Sequence, residues 1–325
     1  MIRVLLVLVA WISISLANTN QAIGLVRVAA IRISFQEDNN PGTTGNGSFL
    51  YSAPIDTCGK YTIDPVPHDR SYFESQLLAV SNYFKSVSYN KFSIDMDNSM
   101  VYPISEEGSY ILSNQMNYYH PFNQAEIHDE RITELFRDAI DIAYKTDSIN
   151  FSLYDHIVIF HAGIGQDFSL PFLDPTPEDI PSTFVDKEML DKYLGGSIEI
   201  SNSVIDQGII LPETQNHLFF EDSENIFLNA EEPCDYQYGL TGTFALMLGF
   251  AIGLPPLWDT ETGQSGIGIF GLMDQGSNNG RGLIPAPPDA WTRKHIGWEY
   301  STRIIPPASI NLPSRSENNI IEIPI

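Results

Sequence analysis

Apolar residues fall in three rhythms along this chain, and each rhythm predicts a different element. Leu25 to Phe35 is rich in Val and Ile and reads as an opening strand. A polar turn segment follows, from Gln36 to Ser48. Phe73, Leu77, Val80 and Phe84 then recur at helical spacing behind the capping-box pattern Ser71-Tyr72-Phe73-Glu74. Phe92 to Met96 is strand-like. Ile132, Phe136, Ala139 and Ala143 mark a second amphipathic helix, whose polar face (Glu134, Arg137, Asp138, Asp141) reads as solvated surface. Ile157 to Phe160 is a continuous apolar run, as a buried strand requires. In the tail, Ile310 to Leu312 and Ile320 to Ile325 are short strand-like stretches.

Tyr238 to Trp258 is 21 residues without a formal charge. Its length would suit a membrane span. Gly239, Gly242, Gly249, Gly253 and the Pro255-Pro256 pair interrupt it, and the flanks Glu231, Glu232, Asp235 and Asp259 are all acidic. No basic flank orients a span, so a buried helix ending near Gly253 and Pro255 is expected, with no membrane span. The 43% apolar content of the 325 residues is enough for a packed core. Three segments are expected: a leader over residues 1–17, a domain over 18–300, and a short β-rich tail over 301–325.

Charge and the N-terminus narrow the possible settings. A formal net charge of −24 argues against nucleic acid and anionic membranes as partners. Arg3, the apolar stretch Val4 to Leu16, and Ser15-Leu16-Ala17 form the pattern of a cleaved signal peptide, which implies a secreted or periplasmic/extracellular protein. An uncleaved anchor is the alternative. The two cysteines, Cys58 and Cys234, permit one disulfide in an exported chain, or two buried thiols. Asn46-Gly47-Ser48 and Asn150-Phe151-Ser152 fit the glycosylation sequon.

Candidate chemistry concentrates in residues 240–277. The run ends Leu246-Met247-Leu248-Gly249-Phe250-Ala251-Ile252-Gly253-Leu254-Pro255-Pro256-Leu257-Trp258-Asp259, and a Gly-rich loop then leads to Gly271-Leu272-Met273-Asp274-Gln275-Gly276-Ser277. This pattern resembles the secreted zinc metalloproteases of the immune inhibitor A type. Those carry H-E-x-G-H-x-L-G-L-P-D-L-Y-D, a Gly-rich segment and a Leu-Met-x-x-Gly-Ser turn. Further blocks in the same order strengthen the resemblance: Val28 to Phe49, Tyr72 to Ile94, Tyr154 to Gly163, and Pro285 to Trp291 followed by Gly297-Trp298. The resemblance implies an α+β, zincin-like metalloprotease domain with a twisted mixed sheet packed on helices. Thr241 to Leu254 would be the former active-site helix, and Met273 would sit in the Met-turn.

Superposing the two patterns on Gly253-Leu254-Pro255 shows what is missing. The two histidine positions are Leu246 and Phe250, the glutamate position is Met247, and the aspartate position is Pro256. A zincin needs two imidazoles four residues apart on one helix, a third ligand, and a glutamate to take a proton from the metal-bound water. Leu246, Met247, Phe250 and Pro256 have no ionisable group to serve in these roles. The seven histidines contain no i, i+4 pair, and His156 and His161, on a predicted strand, would face opposite ways. No catalytic residue and no zinc ligand is therefore expected. A dry apolar core should replace the site, with Met273 near Phe250. Asp167, Asp174 and Asp179 in a Pro-rich acidic loop are calcium candidates, the alternative being a solvated acidic loop. No G-x-S-x-G elbow occurs. The expected function is that of a secreted, inactive homologue that binds peptide or protein. A hydrolase with a relocated metal site and a structural envelope-associated module are the alternatives.

Overall fold

A computed structural model of the chain describes residues 22–52, 58–168, 175–217, 234, 237–312 and 317–324. The proposed leader, residues 1–17, and the calcium candidate Asp174 lie outside them. In chain order the elements are β1 (Gly24–Val26), β2 (Val28–Ser34), α1 (Arg70–Val87), β3 (Phe92–Ile94), β4 (Met100–Tyr102), β5 (Tyr110–Ile111), α2 (Met116–Tyr119), α3 (His128–Asp147), β6 (His156–Ile164), β7 (Thr183–Val185), α4 (Lys187–Leu194), β8 (Ile198–Ile200), β9 (Ser203–Ile205), β10 (Gly208–Thr214), α5 (Leu240–Ala251), α6 (Ala290–His295), β11 (Ser301–Arg303) and β12 (Ile320–Glu322).

The central sheet is mixed. Its order is β4-β2-β6-β10-β7, with β5 beside β2. The β4/β2, β2/β6 and β6/β10 pairs are parallel, and β7 joins β10 antiparallel at one edge. Every residue of β2, β6 and β10 is buried, because helices cover both faces of the sheet. Strand alternation sends Val28, Ala30, Val158, Phe160, Ile209 and Leu211 to one face, where they meet α1 and α5. It sends Ala29, Ile31, Ile33, Ile157, Ile159 and Ile210 to the other, where they meet α3. The continuous Ile157–Phe160 run is thus a strand with two apolar neighbours rather than one.

Local chemistry moves several expected boundaries. The opening strand is two strands in different sheets. It breaks at Arg27, whose backbone N–H and guanidinium all bond the Asp155 carboxylate at 2.8–3.0 Å. Helix α1 starts at Arg70 and is capped by Asp69, whose carboxylate accepts the Tyr72 N–H at 3.0 Å, so Ser71 is not the cap. Glu74 pairs with Arg70 at 2.7 Å instead of closing a capping box. Helix α5 ends at Ala251, short of Leu254. Gly253 turns left-handed at φ 89°, and two reverse bonds close the end, Gly253 N–H to the Phe250 carbonyl and Leu254 N–H to the Gly249 carbonyl, both 2.9 Å. In the tail, β12 pairs with β11 in parallel, and Ile310 to Leu312 forms no strand.

Candidate functional site

Helix α5 divides its surface sharply. Phe244, Ala245, Leu248 and Ala251 are buried against the sheet, with the Phe244 ring edge-on to Phe160 at 5.6 Å. At 3.6 residues per turn, Leu246, Met247 and Phe250 fall on the opposite side. All three are half-buried. The dry sealed core expected at these positions is therefore corrected: they form an apolar strip that water still reaches, because the opposite side of the helix takes the core contacts. Pro256 is exposed. The Phe250 ring stacks on Phe184 of β7 (6.0 Å, 16°) and meets Trp258 edge-on (5.5 Å, 79°). The strip thus runs from the sheet edge, across α5, to the segment after the helix.

Met273 is fully buried on the flank of this strip. A methyl group at Gly249 would stand 2.7 Å from its sulfur, and one at Gly242, two turns earlier, would overlap the Ser277 carbonyl. The two helix glycines are where the 271–277 turn presses against α5. The Leu257 N–H donates to the Met273 carbonyl at 2.9 Å and fixes the chain beyond the helix. Asp274 organises the turn. Its Oδ2 accepts the Ser265 hydroxyl (2.9 Å) and the N–H groups of Gly266, Ile267 and Gly268 (2.9, 2.7 and 2.8 Å), and its Oδ1 accepts the Gln275 N–H (2.8 Å). Burial opposes its charge, but the Ile267 and Gly268 N–H donors, with the Ser265 hydroxyl and the Gln275 N–H, outweigh it and hold the carboxyl below the ordinary range.

The N-terminus of α5 rests on a buried polar network that the sequence reading missed. His68 Nδ1 lies 2.7 Å from Glu213 Oε1, and its Nε2 lies 2.9 Å from the Asp64 carbonyl. Both side chains are fully buried. Glu213 also accepts the N–H groups of Leu50 (3.1 Å) and Gly163 (2.8 Å). Asp64 accepts Gln76 Nε2 (2.9 Å), the Thr214 hydroxyl (3.2 Å) and the Leu240 N–H (2.8 Å), so it supports the first turn of α5. Tyr72 stacks on His68 at 4.4 Å and donates to the Glu213 carbonyl at 2.8 Å. Burial disfavours charge on His68, but the Glu213 carboxylate and the Asp64 carbonyl outweigh it and raise its pKa. Burial raises that of Asp64. The only sequence signal was Glu213 closing the apolar run Ile209-Ile210-Leu211-Pro212.

Beside this network, Cys58 and Cys234 form a disulfide that joins residues 176 apart in sequence. The Cys234 carbonyl accepts Gln237 Nε2 at 3.0 Å, and Gln237 Oε1 accepts the Ile63 N–H at 2.9 Å and Asn216 Nδ2 at 3.1 Å. The bridge therefore ties the approach to α5 to the loop before α1.

The calcium candidates serve other contacts. Asp167 accepts the Ser182 N–H (3.0 Å) and hydroxyl (2.7 Å), and Gln215 Nε2. Asp179, almost fully buried, accepts the Thr44 N–H (2.7 Å) and hydroxyl (3.0 Å). Glu178 takes Asn40 Nδ2 at 2.6 Å and donates its N–H to the Gly42 carbonyl at 2.8 Å, so the acidic loop and the Gly-rich 36–48 loop dock on each other. Among the described residues, no group of three or more His, Cys, Asp or Glu side chains is disposed to hold a metal ion. His156 and His161 are both buried within β6, and burial pushes each down to about 4.

A depression of about 460 Å³ lies elsewhere, lined by Arg70, Glu74, Leu78, Met96 and Met100. Its polar lining residues are half-buried or exposed. Among the described residues, no helix is long and apolar enough to cross a membrane; α5 has 12 residues. Comparison with family models and with curated proteins finds no match.

Proposed function

We propose that this chain is an exported, catalytically inactive homologue of the immune inhibitor A type metalloproteases, and that it binds extended peptide segments. The carrying observation is the half-buried strip Leu246–Met247–Phe250, which meets the edge strand β7 at Phe184 and the following segment at Trp258. Among the described residues no strand pairs with the outer side of β7, so its main chain is placed for β-strand addition, and the strip can take an apolar side chain. The mixed sheet, the motif helix packed on it, and the motif turn locked against that helix at Gly242 and Gly249 support the family reading. The Cys58–Cys234 disulfide is compatible with an extracellular protein.

The residues do not fit zinc. Leu246 and Phe250 have no donor atom, Pro256 has no side-chain ligand, and the Met247 thioether is not among the thiolate, imidazole and carboxylate donors from which zinc sites are built. No hydrolytic step follows from this donor set.

The test combines titration of the purified protein with a panel of extended ten-residue peptides, followed by Trp fluorescence, and mass spectrometry of the recovered peptides. Binding of intact peptides is expected, and Phe250→Asp should weaken it at least tenfold. One zinc per chain with EDTA-sensitive cleavage of casein would overturn the reading in favour of a relocated metal site. Absence of binding to any peptide would favour a structural module.

A further inference from the structure

The charges that frame the strip point to a kind of peptide, an inference that rests on the peptide-binding reading above. Two segments build the strip, 182–186 through β7 and 243–280 from α5 through the turn, and 204–209, from β9 into β10, borders it through Gln207. None contains a Lys or Arg; Lys187 and Arg281 follow just outside them. They carry Asp186, Asp206, Asp259, Glu261 and Asp274. Asp186 is committed to capping α4 through the Met189 N–H at 2.9 Å, and Asp274 to its turn. Asp206, Asp259 and Glu261 are exposed, as is Glu188 just beyond β7.

Two of these carboxylates stand next to residues that contact the strip or its helix. Asp206 stands two residues before Gly208, which pairs with Val185 of β7. Its neighbour Gln207 reaches the Ala251 carbonyl at the end of α5 with Nε2, at 3.2 Å. Asp259 directly follows Trp258, and its carboxylate takes the N–H groups of Glu261 and Thr262 at 2.9 Å each, which keeps it ionised. Lys187, the basic residue that follows β7, is engaged by Asp191 at 2.7 Å. An apolar floor with an open strand edge, and a rim whose one nearby lysine is paired with Asp191 while its exposed carboxylates outnumber it, selects by charge as well as by shape.

We propose that the strip takes an extended segment in which one large apolar side chain is flanked by lysine or arginine. Main-chain bonds to β7 hold it, the apolar side chain covers Leu246, Phe250 and Trp258, and the cationic flanks face Glu188, Asp206, Asp259 and Glu261.

The experiment uses the full chain and three labelled ten-residue peptides with the same central Phe-Leu and flanks of Lys, Ser or Glu, followed by fluorescence anisotropy at about 50 mM and about 500 mM salt, where screening differs severalfold. The Lys-flanked peptide should bind about tenfold tighter than the Ser-flanked one at low salt, the sum of several modest exposed pairs, and the gap should shrink at high salt. The variant carrying Glu188→Lys, Asp206→Lys and Glu261→Lys, all exposed side chains, should reverse the order and favour the Glu-flanked peptide. Equal binding of all three peptides overturns the charge selection and leaves peptide binding standing. No binding by any of them overturns both readings. Lys-flanked binding that survives unchanged in Phe250→Asp marks adhesion to the acidic surface at large, and overturns the inference as well.

Discussion

The two ends of helix α5 treat polarity in opposite ways. At its N-terminus, charge is sealed inside the protein: Asp64, His68 and Glu213 are buried, and each has named partners in the chain. Along its other side, which water partly reaches, the half-buried side chains are Leu246, Met247 and Phe250. A charge removed from water destabilises unless it is paired and hydrogen-bonded, whereas an exposed apolar side chain costs the fold little. The buried network is therefore expected to govern stability, and the half-buried strip to govern the proposed peptide binding. Substitutions at the two ends should separate those properties.

The largest expected effect is at Glu213. Glu213→Leu leaves His68 and the Leu50 and Gly163 N–H groups without their acceptor, and should lower unfolding stability by about 3–5 kcal/mol, as breaking a buried pair does. Met247→Gln on the open side should change it by about 0.5 kcal/mol or less. Urea denaturation of both variants measures the difference. Equal losses would mean that the exposed strip is also part of the core, and the contrast between the two ends would collapse.

The second expected effect comes from the disulfide. Cys58→Ser with Cys234→Ser removes a cross-link over 176 residues, and should cost about 2–5 kcal/mol. The bridge abuts Gln237 and Ile63, so the loss should first expose amides at the start of α5, near Leu240, to hydrogen exchange. Amides near Phe250 should remain protected until global unfolding. Uniform deprotection along the helix would show that its two ends are not separate units.

What the sequence revealed of these two ends follows from how each is built. The three helix positions were legible because they are local: Leu246, Met247 and Phe250 stand in one motif frame and lie on one side of one helix. Their burial was misjudged, since a hydrophobic run does not say which side of a helix meets the sheet. The core sides of α1 and α3 were legible for the same local reason, with Phe73, Leu77, Ile132 and Phe136 buried at helical spacing. The network was hidden because it joins Asp64, His68, Glu213 and Leu240, brought together only by the parallel sheet. Arg32 was hidden too. It lies fully buried in a strand pattern of apolar residues, and its guanidinium is held by the carbonyls of Pro103, Ser105 and Glu106 at 2.6–2.7 Å. The loop contacts that take up Asp167 and Asp179 are equally non-local, which is why their spacing suggested a cation.

The third effect tests the flank between the two ends. Gly249→Ala drives a methyl into contact with the Met273 sulfur, 2.7 Å away. Overpacking of this kind costs about 1–3 kcal/mol. Met273→Ala combined with Gly249→Ala should lose less than the sum of the two single changes, because the side chains couple by direct contact. Additive losses in thermal unfolding would place the turn elsewhere.

The smallest effect is in pH dependence, and it distinguishes the network by sign. The folded-state pKa of His68 is raised above its unfolded value, chiefly because the Glu213 carboxylate outweighs burial. The group facing it from β10 is Glu213, from the loop before α1 Asp64, and from α1 Tyr72. A raised histidine binds its proton more tightly in the folded chain, so its contribution is complete below the unfolded value of about 6.5 and is lost as pH rises through the folded value. Asp274 has the opposite sign. Its lowered folded pKa gives a contribution complete above about 3.9, which is lost as pH falls through the folded value. The buried His156 and His161, pushed down to about 4, give the opposite slope in wild type and variant alike. The wild-type urea midpoint minus that of His68→Gln should therefore decline above pH 6.5, while Asp274→Asn alters the acid limb. A difference that rises between pH 6 and 8 would mean that burial wins at His68. The N-terminal end of α5 would then rest on a neutral imidazole rather than on an ion pair.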